Sequence, residues 1–282
     1  MSSEPPFWTP TIKANQLRML RRGFGGAFVL VEGTTDVALF KRFTDATAAH
    51  MSHVGNKELV SATVEIMNRE AFSGVVGIVD SDRDRILGIA QTSNVFAMDH
   101  CDVECTLLLS DAYLKVMDEY ASPAKVTRFQ NAYGDVREHL FAQCAHLGGL
   151  RLVSRIENLN LTFEDTQYEH FTDVNMVVNI EAMIDYVLQK SGQAQSRDKV
   201  RRRLSELDAM HYDATELCNG HDTVAILTIG LKRALGSNRG LRAEDMERAL
   251  RLSFEYEHLR RTALHREIAE WEESNQPFSI WR

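Results

Sequence analysis

Two short, wholly apolar runs restrict the folds open to this chain more than any other feature. Ala27–Val31 and Gly74–Val79 carry no polar side chain, and a helical pattern of apolar residues lies between them. Continuous apolar runs of this length are typical of strands buried on both faces, as in a parallel sheet covered by helices. Asn94–Met98 is a third predicted strand. The alternation of strands and helices over about the first 120 residues predicts an α/β fold with a parallel sheet and covering helices.

The pattern changes near Ala121–Pro123, beyond which the apolar spacing is mostly helical. We therefore predict an N-terminal helical extension (1–26), an α/β domain (27–123) and a mostly helical C-terminal domain (124–282). Within the last of these, the spacing is also compatible with strands at Leu150–Asn160 and Leu161–Phe163.

The composition excludes several classes of protein. Hydrophobic residues make up 44% of the 282 residues and charged residues 26%, which disordered, collagen-like and disulfide-scaffold chains do not show. No apolar run is long enough to cross a bilayer, Met1–Pro10 lacks the pattern of a secretory signal, and the four cysteines have no paired spacing, so we expect a cytoplasmic protein that binds no membrane. The net charge of −8 disfavours binding of nucleic acid by bulk electrostatics and requires a local positive patch for it.

Acidic side chains follow the predicted strands at the point where each strand ends. Because the carboxyl ends of parallel strands meet at one edge of a sheet, we expect these side chains to lie close together. Crowded carboxylates repel one another unless a cation lies between them, and Mg²⁺ prefers oxygen ligands of this kind. The sequence therefore predicts a Mg²⁺ or Mn²⁺ site. The acidic residues after the three strands are Glu32, then Asp80, Asp82 and Asp84, then Asp99, Asp102 and Glu104.

Each of these residues also has a structural interpretation. Asp36, in the same segment as Glu32, is suited to the first turn of a helix, where the helix dipole favours an acidic residue. Asp102 and Glu104 could precede and cap the helix that begins near Cys105. A lone D-x-D is a common solvated turn. Carboxylates after successive strands are harder to explain by solubility alone.

Other chemistries that use a D-x-D motif are compatible with only part of the pattern. An EF-hand loop beginning at Asp80 would need glycine and glutamate where the chain has Arg85 and Gln91, so that interpretation fails. A haloacid-dehalogenase phosphatase or a glycosyltransferase would leave Glu32 without a role. A phosphatase and a non-catalytic module that binds metal or a partner nevertheless stay open as alternative functions.

The segments Glu32–Asp36 and Asp80–Asp84 resemble the E-G-x-x-D and D-x-D signatures of the TOPRIM fold. More narrowly, the chain is similar to the TOPRIM nucleases of the overcoming-lysogenization-defect (OLD) kind. Within them it looks closest to the stand-alone TOPRIM nuclease subunits that accompany an ABC-type ATPase in prokaryotic anti-phage systems such as PARIS. Asp102–Glu104 and Asn219–Asp222 resemble two further motifs of these relatives, although Cys105 replaces their asparagine.

The resemblance implies a metal-dependent nuclease that hydrolyses DNA or RNA, including tRNA, as the toxic effector of abortive infection in antiviral defence. It also implies control by an ABC/SMC-like ATPase partner and allows a homodimer. Glu32 would act as general acid/base beside one or two Mg²⁺ ions. The residues implied as metal ligands are Glu32, Asp36, Asp80, Asp82, Asp84, Asp102 and Glu104.

Two sets of basic residues are candidates for contacts with phosphate. Lys57 falls near the same sheet edge and could neutralise a phosphate in the transition state, although an ordinary lysine at a helix start explains it equally well. The densest basic run could follow a nucleic-acid backbone, and a solvated helix face or a docking surface for an acidic partner are the alternatives. That run comprises Arg197, Lys199, Arg201, Arg202 and Arg203.

Overall fold

The computed structural model describes residues 9–282. Within these residues it contains four β-strands, fifteen α-helices and two short 3₁₀ helices. The strands are β1 (Ala27–Val31), β2 (Ala49–His53), β3 (Val75–Val79) and β4 (Val95–Ala97). The helices are α1 (Pro10–Arg21), α2 (Thr34–Phe40), α3 (Lys57–Arg69), α4 (Asp84–Leu87), α5 (Val103–Leu109), α6 (Ala112–Tyr120), α7 (Pro123–Tyr133), α8 (Val136–Ile156), α9 (Ile180–Lys190), α10 (Arg197–Asp208), α11 (Ala214–Leu217), α12 (Gly220–Lys232), α13 (Ala243–Ser253), α14 (Tyr256–Arg260) and α15 (Ala263–Ser274).

The four strands form one parallel sheet in the order β2-β1-β3-β4. In the register of the two central strands, Phe28 pairs with Val75 and Leu30 with Gly77. Every residue of β1 and β3 is buried, as expected for strands covered on both faces. The predicted α/β class with a parallel sheet is confirmed. Strand β2 overlaps a weakly apolar segment, which gives a much weaker strand signal than β1 or β3.

The chain divides into two compact units that cut across the predicted domains. Among the described residues, the first unit, which we call the sheet unit, contains residues 9–81, 89–99 and 255–282. The second, the helical unit, contains residues 82–88 and 100–254. The sequence instead placed the boundary at Ala121–Pro123 and a separate extension before residue 27.

Packing explains why both termini join the sheet unit. Ala14 and Leu17 of α1 are fully buried in the same apolar cluster as β1 and α3, so the predicted extension is part of the core. At the other end of the chain, both carboxylate oxygens of Asp99 accept backbone N–H groups at the start of α15, from Ala263 (2.7 Å) and Leu264 (2.9 Å). Contacts of this kind between distant segments leave no trace in local composition.

A long helix replaces the strand expected at Leu150–Asn160. Helix α8 continues to Ile156, and Leu161–Phe163 forms no strand either, so both of these predictions were wrong. A Cβ on Gly148 would lie 2.2 Å from the carbonyl oxygen of Leu217, which shows that α8 and α11 pack with their backbones in close approach. Burial of one face of α8 in the helical unit outweighs the apolar residues that suggested strands.

The cysteines and the helix lengths bear on two further expectations. All four cysteines are buried and unbridged. Among residues 9–282, each helix is either too short or too polar to cross a membrane.

Candidate functional site

Two of the predicted site residues meet where the central strands of the sheet end. Glu32 directly follows β1, and Asp80 directly follows its parallel neighbour β3. The Oε1 atom of Glu32 accepts a hydrogen bond of 2.8 Å from the backbone N–H of Asp80. Both residues are partly buried. The two strand ends therefore bring Glu32 and Asp80 side by side.

Lys57 joins this strand-end group through its ammonium. It is the first residue of α3, and its Nζ donates hydrogen bonds to the carbonyl oxygens of Asp80 (2.6 Å) and Ser81 (3.0 Å). Hydrogen bonds from a charged donor are among the stronger ones in proteins. Lys57 therefore fixes the backbone just beyond β3 and places a positive charge against the main chain of Asp80 and Ser81. We call Glu32, Lys57 and Asp80 the strand-end site.

Asp36 has a local structural role. Its Oδ2 accepts the backbone N–H of Gly33 at 2.7 Å, which closes the first turn of α2. This is the helix-start role that its position in the sequence also suggested.

The remaining predicted metal ligands belong to the helical unit; they are Asp82, Asp84, Asp102 and Glu104. Asp84 is buried and forms a salt bridge of 2.9 Å with Arg155, whose second nitrogen donates to the carbonyl oxygen of Asp82 at 2.7 Å. The backbone N–H of Asp82 donates to the carbonyl of Cys101. Arg155 thus holds the end of the D-x-D-R-D segment and neutralises Asp84.

Asp102 caps two helices at once. Its Oδ1 accepts the backbone N–H of Cys105 (2.9 Å) at the start of α5, and its Oδ2 accepts the N–H of Gly220 (2.6 Å) at the start of α12. A Cβ on Gly220 would lie 2.3 Å from Asp102 Oδ1, so only glycine permits this approach. The capping interpretation of Asp102 therefore accounts for its burial.

Glu104 lies beside a histidine and a second glutamate from distant parts of the chain. One ligand atom from each of Glu104, His221 and Glu247 lies within 4.8 Å of the others, and the three could hold a metal ion. Burial raises the pKa of Glu104 to about 7. The hydrogen bond from His221 to Glu247, 2.7 Å long, raises the pKa of His221 to about 9. Arg251 lies 3.5 Å from Glu104 and 3.7 Å from Glu247. We call Glu104, His221 and Glu247 the Glu-His-Glu cluster.

A cavity of about 850 Å³ in the helical unit has His221 and Glu247 in its wall. Another part of the wall is a buried ion pair, in which Arg151 donates two hydrogen bonds (2.7 and 2.8 Å) to Asp222. Tyr168 donates a third hydrogen bond, of 2.6 Å, to the same carboxylate. Burial and the neighbouring Asp222 raise the pKa of Tyr168. The Asp222 carboxylate is thus held by three side-chain hydrogen bonds.

The basic run of α10 is matched with carboxylates. The partners lie on α9, on α10 itself and at Glu157, directly after α8, and the shortest separations are between 2.5 and 3.9 Å. A nucleic acid would have to compete with these carboxylates for the same cations, so the solvated-face interpretation also explains the run. The residues concerned are Arg197, Lys199, Arg201, Arg202 and Arg203.

Sequence analysis missed two members of the Glu-His-Glu cluster. His221 lies inside the segment Asn219–Asp222, which was noted for its motif and not for a ligand. Glu247 has no sequence signal, because it is one of several acidic residues on the amphipathic helix α13. Only the packing of α5, α12 and α13 brings the cluster together.

Comparison with models of protein families finds no match to this chain, and comparison with curated proteins finds none either.

Proposed function

We propose that this chain is a Mg²⁺-dependent nuclease of the TOPRIM type that hydrolyses phosphodiester bonds through the strand-end site. The observation that supports it is the 2.8 Å hydrogen bond between Glu32 Oε1 and the backbone N–H of Asp80. It means that the first acidic residues after β1 and β3, named from the sequence as metal ligands, lie side by side at the crevice edge of a parallel sheet.

The donor chemistry of the strand-end site suits Mg²⁺ or Mn²⁺. Glu32 and Asp80 offer hard carboxylate oxygens, which are the ligands that Mg²⁺ prefers. Directly after Asp80, Ser81 is fully buried, and its hydroxyl has no hydrogen-bond partner among residues 9–282. A buried polar atom without a partner is uncommon, and such atoms point to a group that is not in the structure.

In the proposed mechanism, Glu32 acts as general acid/base. Its contact with the Asp80 N–H fixes one carboxylate oxygen, so that the orientation of the group is set before substrate arrives. Lys57 holds the backbone of Asp80 and Ser81 in place and adds a positive charge where a phosphate would lie. The bound Mg²⁺ would supply charge stabilisation for the phosphodiester in the transition state.

The biological setting is part of the same proposal and rests on the resemblance to OLD-like nucleases. We propose DNA or RNA, including tRNA, as substrate, and an ABC/SMC-like ATPase as the partner that restrains a toxic activity in antiviral defence. The overall charge is −8, and the basic run of α10 is already paired with carboxylates. We therefore propose that the metal ion, rather than a basic surface, provides most of the electrostatic attraction for phosphate.

The test is cleavage of plasmid and of total tRNA by purified protein with Mg²⁺ or Mn²⁺, with EDTA as the metal-free control. We expect Glu32→Gln and Asp80→Asn to abolish cleavage, whereas Glu65→Gln on the exposed side of α3 keeps it. Cleavage that survives both site substitutions would remove the strand-end site from the mechanism.

The same assay separates the alternative functions. Hydrolysis of small phosphate monoesters with a covalent aspartyl-phosphate, and no cleavage of nucleic acid, would support the phosphatase. No cleavage of any substrate, with or without an ATPase partner, would support a non-catalytic module.

A further inference from the structure

We propose that the Glu-His-Glu cluster of the helical unit is a binding site for one divalent transition-metal ion, such as Mn²⁺ or Zn²⁺. The site shares no ligand with the strand-end site, and it assigns Glu104, which the resemblance implied as a ligand of the nuclease metal, to a separate ion outside the proposed nuclease function. It joins α5, α12 and α13 through Glu104, His221 and Glu247.

Glu104 is buried among charged side chains. Its own side chain is 7% exposed and lies in two ion pairs. The nearest cationic atoms are Arg251 Nη1 at 3.5 Å and His221 Nε2 at 3.9 Å. Buried carboxylates are paired with cations or coordinate metals. Both ion pairs of Glu104 are longer than a hydrogen bond, which leaves its carboxylate oxygens able to bind an ion as well.

The spacing of the ligand atoms is compatible with a single shared ion. Two protein ligands, each about 2.0–2.2 Å from one ion, can be separated by up to about 4.4 Å. The 3.9 Å between Glu104 Oε2 and His221 Nε2 falls within that limit. The other ring nitrogen of His221 lies 2.7 Å from Glu247 Oε1, which is the carboxylate contact that commonly orients a metal-binding imidazole.

The donor set indicates the kind of ion. An imidazole together with carboxylates suits Zn²⁺ and Mn²⁺, whereas Mg²⁺ prefers oxygen ligands alone. On binding, the imidazole nitrogen gives its proton to water and its lone pair to the metal. The two carboxylates and Arg251 then leave a net charge of about +1 with the ion in place.

The Glu-His-Glu cluster is accessible from solvent. His221 is exposed, and both it and Glu247 line the cavity of about 850 Å³. An ion can therefore enter from solvent, and the positions that the three side chains leave open face a space large enough for water or a small ligand.

The experiment measures binding of Mn²⁺ and of Zn²⁺ to the full-length protein in which Glu32→Gln and Asp80→Asn remove the strand-end site. Calorimetry gives the stoichiometry and affinity, and electron spin-echo spectroscopy of bound Mn²⁺ detects a coordinated imidazole nitrogen. We expect one ion per chain, with a nitrogen signal. Adding His221→Asn or Glu104→Gln weakens binding at least tenfold and removes or reduces that signal, whereas His211→Asn, an exposed histidine outside the cluster, changes neither.

The outcome is independent of nuclease activity. Binding of equal strength with and without His221→Asn, a missing nitrogen signal, or no binding of either ion at millimolar concentration would each overturn the metal site. Circular dichroism of each variant confirms that it folds. Loss of nuclease activity in the Glu32 and Asp80 variants tests the strand-end site alone.

Discussion

The hydrogen bond between Glu32 and Asp80 can be tested by its contribution to stability, separately from any activity. Glu32→Ala removes the acceptor and leaves a backbone N–H at the partly buried end of β3 without its partner. Hydrogen bonds to charged groups contribute about 1.5–3 kcal/mol. Because the site is half-buried, we expect Glu32→Ala to lower the free energy of unfolding by about 2 kcal/mol.

The matched substitution is Glu32→Gln, which keeps an acceptor oxygen and loses only the charge. A neutral hydrogen bond contributes about 1 kcal/mol, so Glu32→Gln should lower the free energy of unfolding by about 1 kcal/mol or less. The assay is urea unfolding at pH 7 in EDTA, which keeps metal out of the measurement, and Glu65→Ala on the solvent face of α3 is the control. If Glu32→Ala costs no more than the control, or if the alanine and glutamine variants are equally unstable, the contact does not hold the strand ends together.

Three further predictions concern the helical unit. Asp222→Asn removes the charge that compensates the partly buried Arg151 and is expected to lower the free energy of unfolding by about 3 kcal/mol. Asp245→Asn, in an exposed ion pair, is expected to have a much smaller effect. Equal losses in urea unfolding would contradict the role of the Arg151–Asp222 pair. Asp102→Ala removes the cap of two helices and is expected to lower the free energy of unfolding by about 2–3 kcal/mol. Amide exchange at the first turns of α5 and α12 should become faster, and unchanged exchange there would refute the capping role of Asp102. The third prediction concerns the pH dependence of stability. Burial raises the pKa of Glu104 from 4.5 to about 7 in the folded protein. As pH rises, the unfolded chain therefore loses the Glu104 proton at a lower pH than the folded protein does. Between pH 4.5 and 7 in EDTA, the free energy of unfolding of the wild type should therefore fall by on the order of 2–3 kcal/mol relative to that of Glu104→Gln. A difference in unfolding free energy that stays constant over this pH range would contradict the raised pKa.

The fold was predictable where one local signal dominates. The two wholly apolar runs gave β1 and β3, and α9 and the helix at the N-terminus follow from amphipathic spacing. Strand β2 (Ala49–His53) has only a weak sequence signal, because it contains two histidines and a serine and lies at the edge of the sheet. The strands expected after Leu150 failed because apolar runs in a buried helix look the same as those in a buried strand.

The residues of the candidate sites were likewise predictable only where a local rule connects them. The pairing of Glu32 with Asp80 could be predicted, because parallel strands deliver whatever follows them to one edge. The capping roles of Asp36 and Asp102 were open alternatives that local geometry decides. The Glu-His-Glu cluster could not be predicted, since its members lie up to 143 residues apart in sequence, from Glu104 to Glu247, and no strand or turn rule connects them.

The central claim is that Glu32 and Asp80 bind one divalent ion at the carboxyl ends of β1 and β3. The most direct measurement is anomalous scattering from crystals of the wild-type protein grown with Mn²⁺, collected on both sides of the manganese absorption edge. The account predicts an anomalous peak within bonding distance of both carboxylates, and loss of that peak in Asp80→Asn crystals grown in the same way. A protein that cleaves nucleic acid with Mn²⁺ but shows no manganese at this position would contradict it.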